Sequence, residues 1–574
     1  MSNLVAINAS NNSFTGHIPS SFCISSLSFA ALDLCYNQFS GEIPAGIGKC
    51  SALRMLKAGH NNISGALPDD LFHATSLEYL SFPNNGLQGT IKLVIKLISV
   101  ARSQSSLRDD EMRPSRPLEA SKISVTAPST SQMIPSQVQQ SVLFLHDAAR
   151  PLSCGGDSSA RNRRRVSLSC SMHEPMGGQM KLSGTIVLVR NKFTGDLAKV
   201  NFSNLPNLKT LDLCTNYFTG TIPASIYSCS NLTWLRLSFN KLHGQLPEET
   251  EKLKSLTFVS LSYNYFTNIT GALHILKSLR NLTTLLIGGN FMHETIPQDE
   301  TIHGLENLQV LGINDCALTG KIPSWLSKLK KLELLLLYNN QLSGPIPTWI
   351  KSLNYLKYVD LSNNSLIGEI PTSLTEMPML RSDKIADHSN PRLFRMPVFV
   401  APSLQYHTAN AFPKMLNLGN NKFSGVIPME IGQLKALLSL NLSFNNLHGE
   451  IPQSASNLKN LMVLDLSSNH LTGAIPSSLA NLHFLSNFNI SYNDLEGPVP
   501  IIGQFSTFPT SSFAGNPKLC SPMLLHRCNS AGAAPVSTIT TKQYIDKVVF
   551  AIAFGMFFGV GVLYDQIVVS RFFG

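Results

Sequence analysis

Residues 461–476 read LMVLDLSSNHLTGAIP, and close variants recur as LKTLDLCTNYFTGTIP at 208–223, LTWLRLSFNKLHGQLP at 232–247 and LKYVDLSNNSLIGEIP at 356–371. The shared template is L-x-x-L-x-L-x-x-N-x-L-x-G-x-I-P. Side chains alternate across an extended strand, so in L-x-L the leucines face inward and the intervening residues outward. The asparagine that follows carries both a donor and an acceptor, and an inward-facing one can satisfy turn backbone in its own and the next coil. In G-x-I-P the glycine permits a tight bend, and the proline stands where no amide hydrogen is required. With the asparagine as marker, copies fall at Asn12, Asn37, Asn61 and Asn85, at Asn191, Asn216, Asn240, Asn264 and Asn290, at Cys316, Asn340 and Asn364, and at Asn421, Asn445, Asn469 and Asn493. That is sixteen units, most of them 24 residues apart, with Cys316 a weaker donor that interrupts the series once.

A single unit cannot bury its own leucines. Stability must come from stacking each coil on its neighbours, and the open ends need caps. The pattern therefore predicts a solenoid whose short strands form a parallel sheet along one concave face. Beyond the last unit, FAGNPKLCSPMLLHRC places Cys520 and Cys528 where a disulfide could close over the exposed core. Met1 stands almost inside a repeat, with no apolar leader and no cysteine pair in the sequence before it, so the expectation is either that a cap and a signal peptide belong ahead of this sequence or that the first coil is frayed. The ten cysteines lack the C-x-x-C spacing of zinc sites. Cys50 and Cys229, each just before a repeat's first leucine, are read as small buried thiols.

The G-x-I-P form of the template resembles the plant-specific leucine-rich-repeat class, over everything except residues 92 to about 180. Within that class NFMHETIP (290–297), VLGINDCALTGKIPSWL (310–326) and the interruption before FPKMLNLGNNKFSGVIP (412–428) resemble the phytosulfokine and tyrosine-sulfated glycopeptide receptors. The resemblance implies an α/β solenoid, a plant-type leucine-rich-repeat superhelix with a concave parallel sheet, one island insertion and a single C-terminal transmembrane helix. It also implies an island that orders against the concave face and helps to bind a peptide. Asn364 and Asn421 are 57 residues apart, which places the island at 381–412, where MPVFVAPSLQYHTANAF (396–412) fits the family's island in position and in its Gln-Tyr pair. Phe399, Tyr406 and Phe412 become candidate ligand contacts there, and packing of the island onto the solenoid is the competing role for the same residues. On the concave strands the candidates are Trp234, Arg236, Asp315, Tyr338, Tyr358 and Asp360, since aromatic and arginine side chains tend to dominate binding energy. Leu336 stands where receptors for the disulfated pentapeptide carry an acid, which speaks against that hormone.

The chain then divides into repeats at 1–91, an insert at 92–180, repeats at 181–380, the island, repeats at 413–500, a cap at 501–530, a linker at 531–547, an apolar run at 548–564 and a tail at 565–574. The insert, rich in Ser, Pro and charge, reads as disordered or foreign to the repeat, and is expected to loosen the contact between the coils on its two sides. It holds twelve Lys/Arg against seven Asp/Glu, half of the chain's formal charge of +10, so the basic balance belongs to one segment and nucleic acid is not an expected partner. VVFAIAFGMFFGVGVLY, Val548 to Tyr564, is near the short end for a bilayer span, and Gly555 with Gly559 gives it a G-x-x-x-G spacing that lets another helix approach. N-x-S/T sequons at Asn62, Asn201, Asn231, Asn268, Asn281, Asn441 and Asn489 are candidate glycosylation sites if the repeats are extracellular.

No nucleophile elbow, zinc-protease helix or phosphate loop stands in a credible context, and only about ten residues follow the apolar run, so neither an enzyme nor a cofactor is expected. The leading expectation is a plasma-membrane receptor-like protein that binds a secreted peptide, tyrosine-sulfated or unsulfated, on its concave face and island outside the cell and signals through a co-receptor kinase with its own transmembrane helix. A defence-type inhibitory binding module and a degraded, non-functional receptor gene product are the alternatives.

Overall fold

The computed structural model describes residues 4–19, 28–73, 76–91, 184–382, 393–401, 404–408 and 412–521, with backbone alone for the strands between 393 and 408. The chain divides into two compact units, Met1–Leu519 and Cys520–Gly574, and the repeats lie in the first. Numbering the coils 1 to 16 by their markers, from Asn12 to Asn493, each contributes one short strand to a single sixteen-stranded parallel sheet, from Ala6–Asn8 in coil 1 to Asn487–Asn489 in coil 16. Register is regular along the sheet apart from one irregularity between Leu208 and Thr210, where coil 6 pairs with coil 5. Leu235 lies beside Leu211 and Val259, and Leu464 beside Leu440 and Phe488, so the second leucine position of L-x-x-L-x-L forms one inward row along the sheet. Except for half-buried Ile7 and Ile186, these inward residues are almost wholly inaccessible and form the continuous core.

Asparagines behind the sheet lock the coils together. Asn240 Nδ2 donates to the carbonyls of Leu237 and Ser238 in its own turn at 3.0 and 3.3 Å and to Leu213 of the preceding coil at 3.0 Å, while its Oδ1 accepts from Phe218 N–H at 3.1 Å. The same pattern holds at Asn445 and Asn493. The partner outside its own turn is thus the preceding coil and not the following one. Cys316, as expected of a weaker donor, reaches only Asn314 O, at 3.1 Å, and Asn340 Oδ1 takes up its amide instead. Sequence reasoning missed a further rung, Asn516, which bonds Ile490, Phe513 and Ala514 carbonyls and accepts from Leu495 N–H. The ladder therefore runs into the cap.

The residue before each rung is left-handed, for example Tyr263 (φ 56), Asn339 (φ 54) and Asn363 (φ 53). That conformation costs a non-glycine residue roughly 1–2 kcal/mol, and the rung's bonds offset it. Gly515 before Asn516 avoids the cost, and its missing Cβ also leaves room for the Tyr492 ring.

Past the rungs, the x-L-x-G segments pair into lateral sheets that the template did not reveal, one of eight strands over coils 1–8 and one of seven from coil 11 onward. They are separated where coil 8 lacks G-x-I-P and instead forms the helix Ile269–Leu276, its first turn capped by Asn268 Oδ1 on Gly271 N–H at 2.9 Å. Helical content is otherwise small. The outer turns are mostly 3₁₀, such as Ser324–Lys328, because proline opens them and a leucine closes them after a single short turn, so the α part of the expected α/β class is minor.

The repeats on the two sides of the insert pair directly. Tyr79, Leu80 and Ser81 of coil 4 pair with Thr185, Ile186 and Val187 of coil 5, and Asn191 Nδ2 donates to Phe82 O at 2.9 Å. Both sheets and the ladder run through, so the described solenoid continues unbroken from coil 4 to coil 5. Cys50 is disulfide-bonded, not the free thiol its context suggested, whereas Cys229 is free and buried. Cys520 is also disulfide-bonded, and Cys528 lies outside the described residues. Among the described residues no helix is long and apolar enough to cross a membrane, and the run at 548–564 with Gly555 and Gly559 falls outside them.

Candidate ligand-binding face

On either side of each inward residue, the strand side chains face away from the core and form columns along the concave sheet. Over coils 7 to 13 the first column is Trp234, Phe258, Thr284, Val310, Leu334, Tyr358 and Met415. Most of these join Leu286, Leu336 and Phe412 in one apolar cluster. Trp234 stacks on Phe258 with ring centroids 4.5 Å apart, a consequence of two aromatics 24 residues apart in a 24-residue repeat. The cluster is closed in this structure, with Trp234 8 % exposed and Tyr358 2 %.

Charge beside the strip is handled in two different ways. Arg236 and Asp212, again 24 residues apart, form a buried ion pair in which Nε donates to Asp212 Oδ2 at 2.9 Å and a terminal guanidinium nitrogen donates to the same oxygen. Burial works against the charged guanidinium, and the Asp212 carboxylate more than compensates, holding the Arg236 pKa above its ordinary value. Asp315 accepts only from neutral groups: Tyr263 Oη at 2.5 Å, Asn314 Nδ2 at 2.6 Å and Asn339 Nδ2 at 2.6 Å. From there a side-chain relay continues, Asn363 donating to Asn339 Oδ1 at 2.5 Å and Asn420 to Asn363 Oδ1 at 2.6 Å. Asp360 accepts from Ser362 N–H at 3.1 Å and Ser362 Oγ at 2.6 Å, yet burial still pushes its carboxyl up to about 6, the Asp315 charge adding to the shift. Tyr338 sits between the two acids. Burial, and then the neighbouring Tyr263, Asp315 and Asp360, push its hydroxyl well above the usual range.

Within the interruption between coils 12 and 13, Leu393–Ala401 and Leu404–Thr408 form a two-stranded antiparallel hairpin in which Val398 pairs with Tyr406 and Phe399 with Gln405. The hairpin returns to the solenoid at Phe412, which is buried edge-to-face on Tyr358, centroids 5.6 Å apart. One root of the island is thereby fixed to the concave strip, beside Asp360.

The expected contacts thus separate. Trp234, Arg236, Tyr358 and Phe412 are consumed by packing or by an internal ion pair, whereas Asp315, Tyr338 and Asp360 are half-buried, contiguous and next to the island's root. Phe399 and Tyr406 are placed on the hairpin by backbone only. Sequence reasoning missed Asp212, Phe258, Tyr263 and the Asn339–Asn363–Asn420 relay. Repeat spacing could have found the first two, but Tyr263 reaches Asp315 across two coils and leaves no such signal. Of the sequon asparagines, Asn62, Asn231, Asn268 and Asn281 are exposed, while Asn201, Asn441 and Asn489 are half-buried and accept from the hydroxyl of their own sequon's serine. Among the described residues no group of three or more His, Cys, Asp or Glu is placed to hold a metal ion.

The leucine-rich-repeat region family matches residues 199–418, and the leucine-rich-repeat family matches 3–24, 29–50, 413–434, 436–458 and 460–482. Receptor-like protein 3 of Arabidopsis thaliana is 51 % identical over 359 residues, covering 61 % of this chain and 48 % of that protein. The chain is a leucine-rich-repeat protein similar to receptor-like proteins of plants. Phytosulfokine receptor 2 of the same plant is 42 % identical over 177 residues, 30 % of this chain and 17 % of the receptor. Among solved structures, a TDR receptor matches with a TM-score of 0.51 and 26 % identity over 89 % of this chain and 76 % of its own. The chain spans about half the length of Receptor-like protein 3 and less of the phytosulfokine receptor.

Proposed function

We propose that this protein is a membrane-anchored receptor-like protein that binds a secreted peptide and signals through a partner receptor kinase. The observation that carries the reading is the meeting of the island's root with the concave face: Phe412 on Tyr358, with half-buried Asp360, Tyr338 and Asp315 beside it. An extended peptide can lie along such a face and add main-chain hydrogen bonds to a hairpin edge. The likeness to a protein named as a phytosulfokine receptor supports a peptide as ligand. Anchoring rests on the apolar run Val548 to Tyr564, and an extracellular position for the repeats rests on the sequons, four of which are exposed. Replacing residues 381–412 with a short repeat linker tests the reading. Photo-crosslinking of secreted peptides to the chain should be abolished while secretion and the repeat fold persist, and undiminished crosslinking would refute it.

A further inference from the structure

Charge is unevenly compensated along the concave face. On the strands of coils 7 to 13, with the residue before each strand, the described residues include three cations, and all are engaged within the protein. Arg236 is paired with buried Asp212, Lys357 Nζ lies 3.0 Å from Glu333 Oε2, and Lys414 Nζ donates to Ser382 O at 2.7 Å. The accessible rim shows the opposite balance. Among the described residues Asp315 and Asp360 form no ion pair and are bonded only by tyrosine, asparagine and serine groups. Tyr338 and the apolar strip lie beside them, so this half-buried surface carries an excess of negative charge.

A sulfate on a ligand tyrosine needs charge-assisted donors to replace its water, and the described strands of coils 7 to 13 have no cation to spare. Bringing one near two uncompensated carboxylates adds like-charge repulsion in a partly buried setting. A neutral apolar segment meets neither penalty, and a lysine, arginine or terminal amine would gain from both acids. We infer that the face formed by coils 7 to 13 selects an unsulfated peptide segment, apolar with a cationic group, and rejects the tyrosine-sulfated form. The inference rests on the peptide-binding reading above.

The test uses one set of synthetic peptides in three versions, identical except for tyrosine, sulfotyrosine or lysine at one position, bound to the purified full chain and followed by fluorescence anisotropy at low and high salt. Tyrosine and lysine versions should bind, the sulfated version at least about tenfold more weakly, and added salt should weaken the lysine version most because screening shortens the reach of the acids. Asp315→Asn and Asp360→Asn should each reduce the preference for lysine over tyrosine by about threefold to tenfold. Stronger or equal binding of the sulfated peptides would overturn the inference and leave the peptide-binding reading standing. Failure of all three versions, in a library broad enough to sample the flanking residues, would overturn both.

Discussion

Replacing Asn240 by alanine tests what holds the coils together. The side chain makes four bonds, to the carbonyls of Leu213, Leu237 and Ser238 and from Phe218 N–H, and is 8 % exposed. Alanine leaves Phe218 N–H and Leu213 O without these partners in the interior. At about 1–3 kcal/mol for each buried group left unsatisfied, and with the left-handed strain at Phe239 (φ 55) no longer offset, the cost should be about 3–5 kcal/mol. Because neighbouring coils couple more strongly than distant ones, the effect should be local. Hydrogen exchange followed by mass spectrometry should show faster exchange in segments containing Phe218 and Leu242, with the segment around Asn445 unchanged. The reasoning fails if the loss is below about 0.5 kcal/mol, or if exchange rises equally in coil 14.

Arg236→Met should destabilise by about 3–5 kcal/mol, because it strands Asp212 in the interior, and adding Asp212→Leu should recover most of the loss in thermal melts. Asp360 has its folded-state pKa raised to about 6 from an ordinary 3.8, so between those values the folded state holds the extra proton and stability falls as pH rises, by no more than about 3 kcal/mol in total. Asp360→Asn should remove that slope between pH 4 and 6 and raise the melting temperature at pH 7, and an unchanged pH profile would count against it. Phe412→Ala should cost about 3 kcal/mol locally, seen as faster exchange in the strand Tyr358–Asp360 without loss of the coils beyond 14.

The stacking was legible because its cause is periodic. Leucine, asparagine and glycine recur at one spacing, and the structure builds one coil from each copy, including the weak rung at Cys316. Asn516 was overlooked because its coil has lost the leucines and kept only the turn, Gly515 before Asn516. Residue type ranked Trp234, Arg236 and Tyr358 as contacts, but a type carries no information about what already occupies a side chain. Phe258, Asp212 and Phe412 occupy these three, and only coordinates show it for Phe412. The lateral sheets escaped notice because their strands are two to five residues long and carry outward side chains of every kind.

A ligand held at the concave rim beside the island should lie within reach of Tyr338 and far from the outer turns. A photoreactive phenylalanine analogue placed at Tyr338, and separately at Met429, which is 71 % exposed on an outer 3₁₀ turn, tests this directly. Exposed to the same synthetic peptides under light, the chain labelled at position 338 should capture them and the chain labelled at 429 should not. Capture at 429 with none at 338 would contradict binding at the rim.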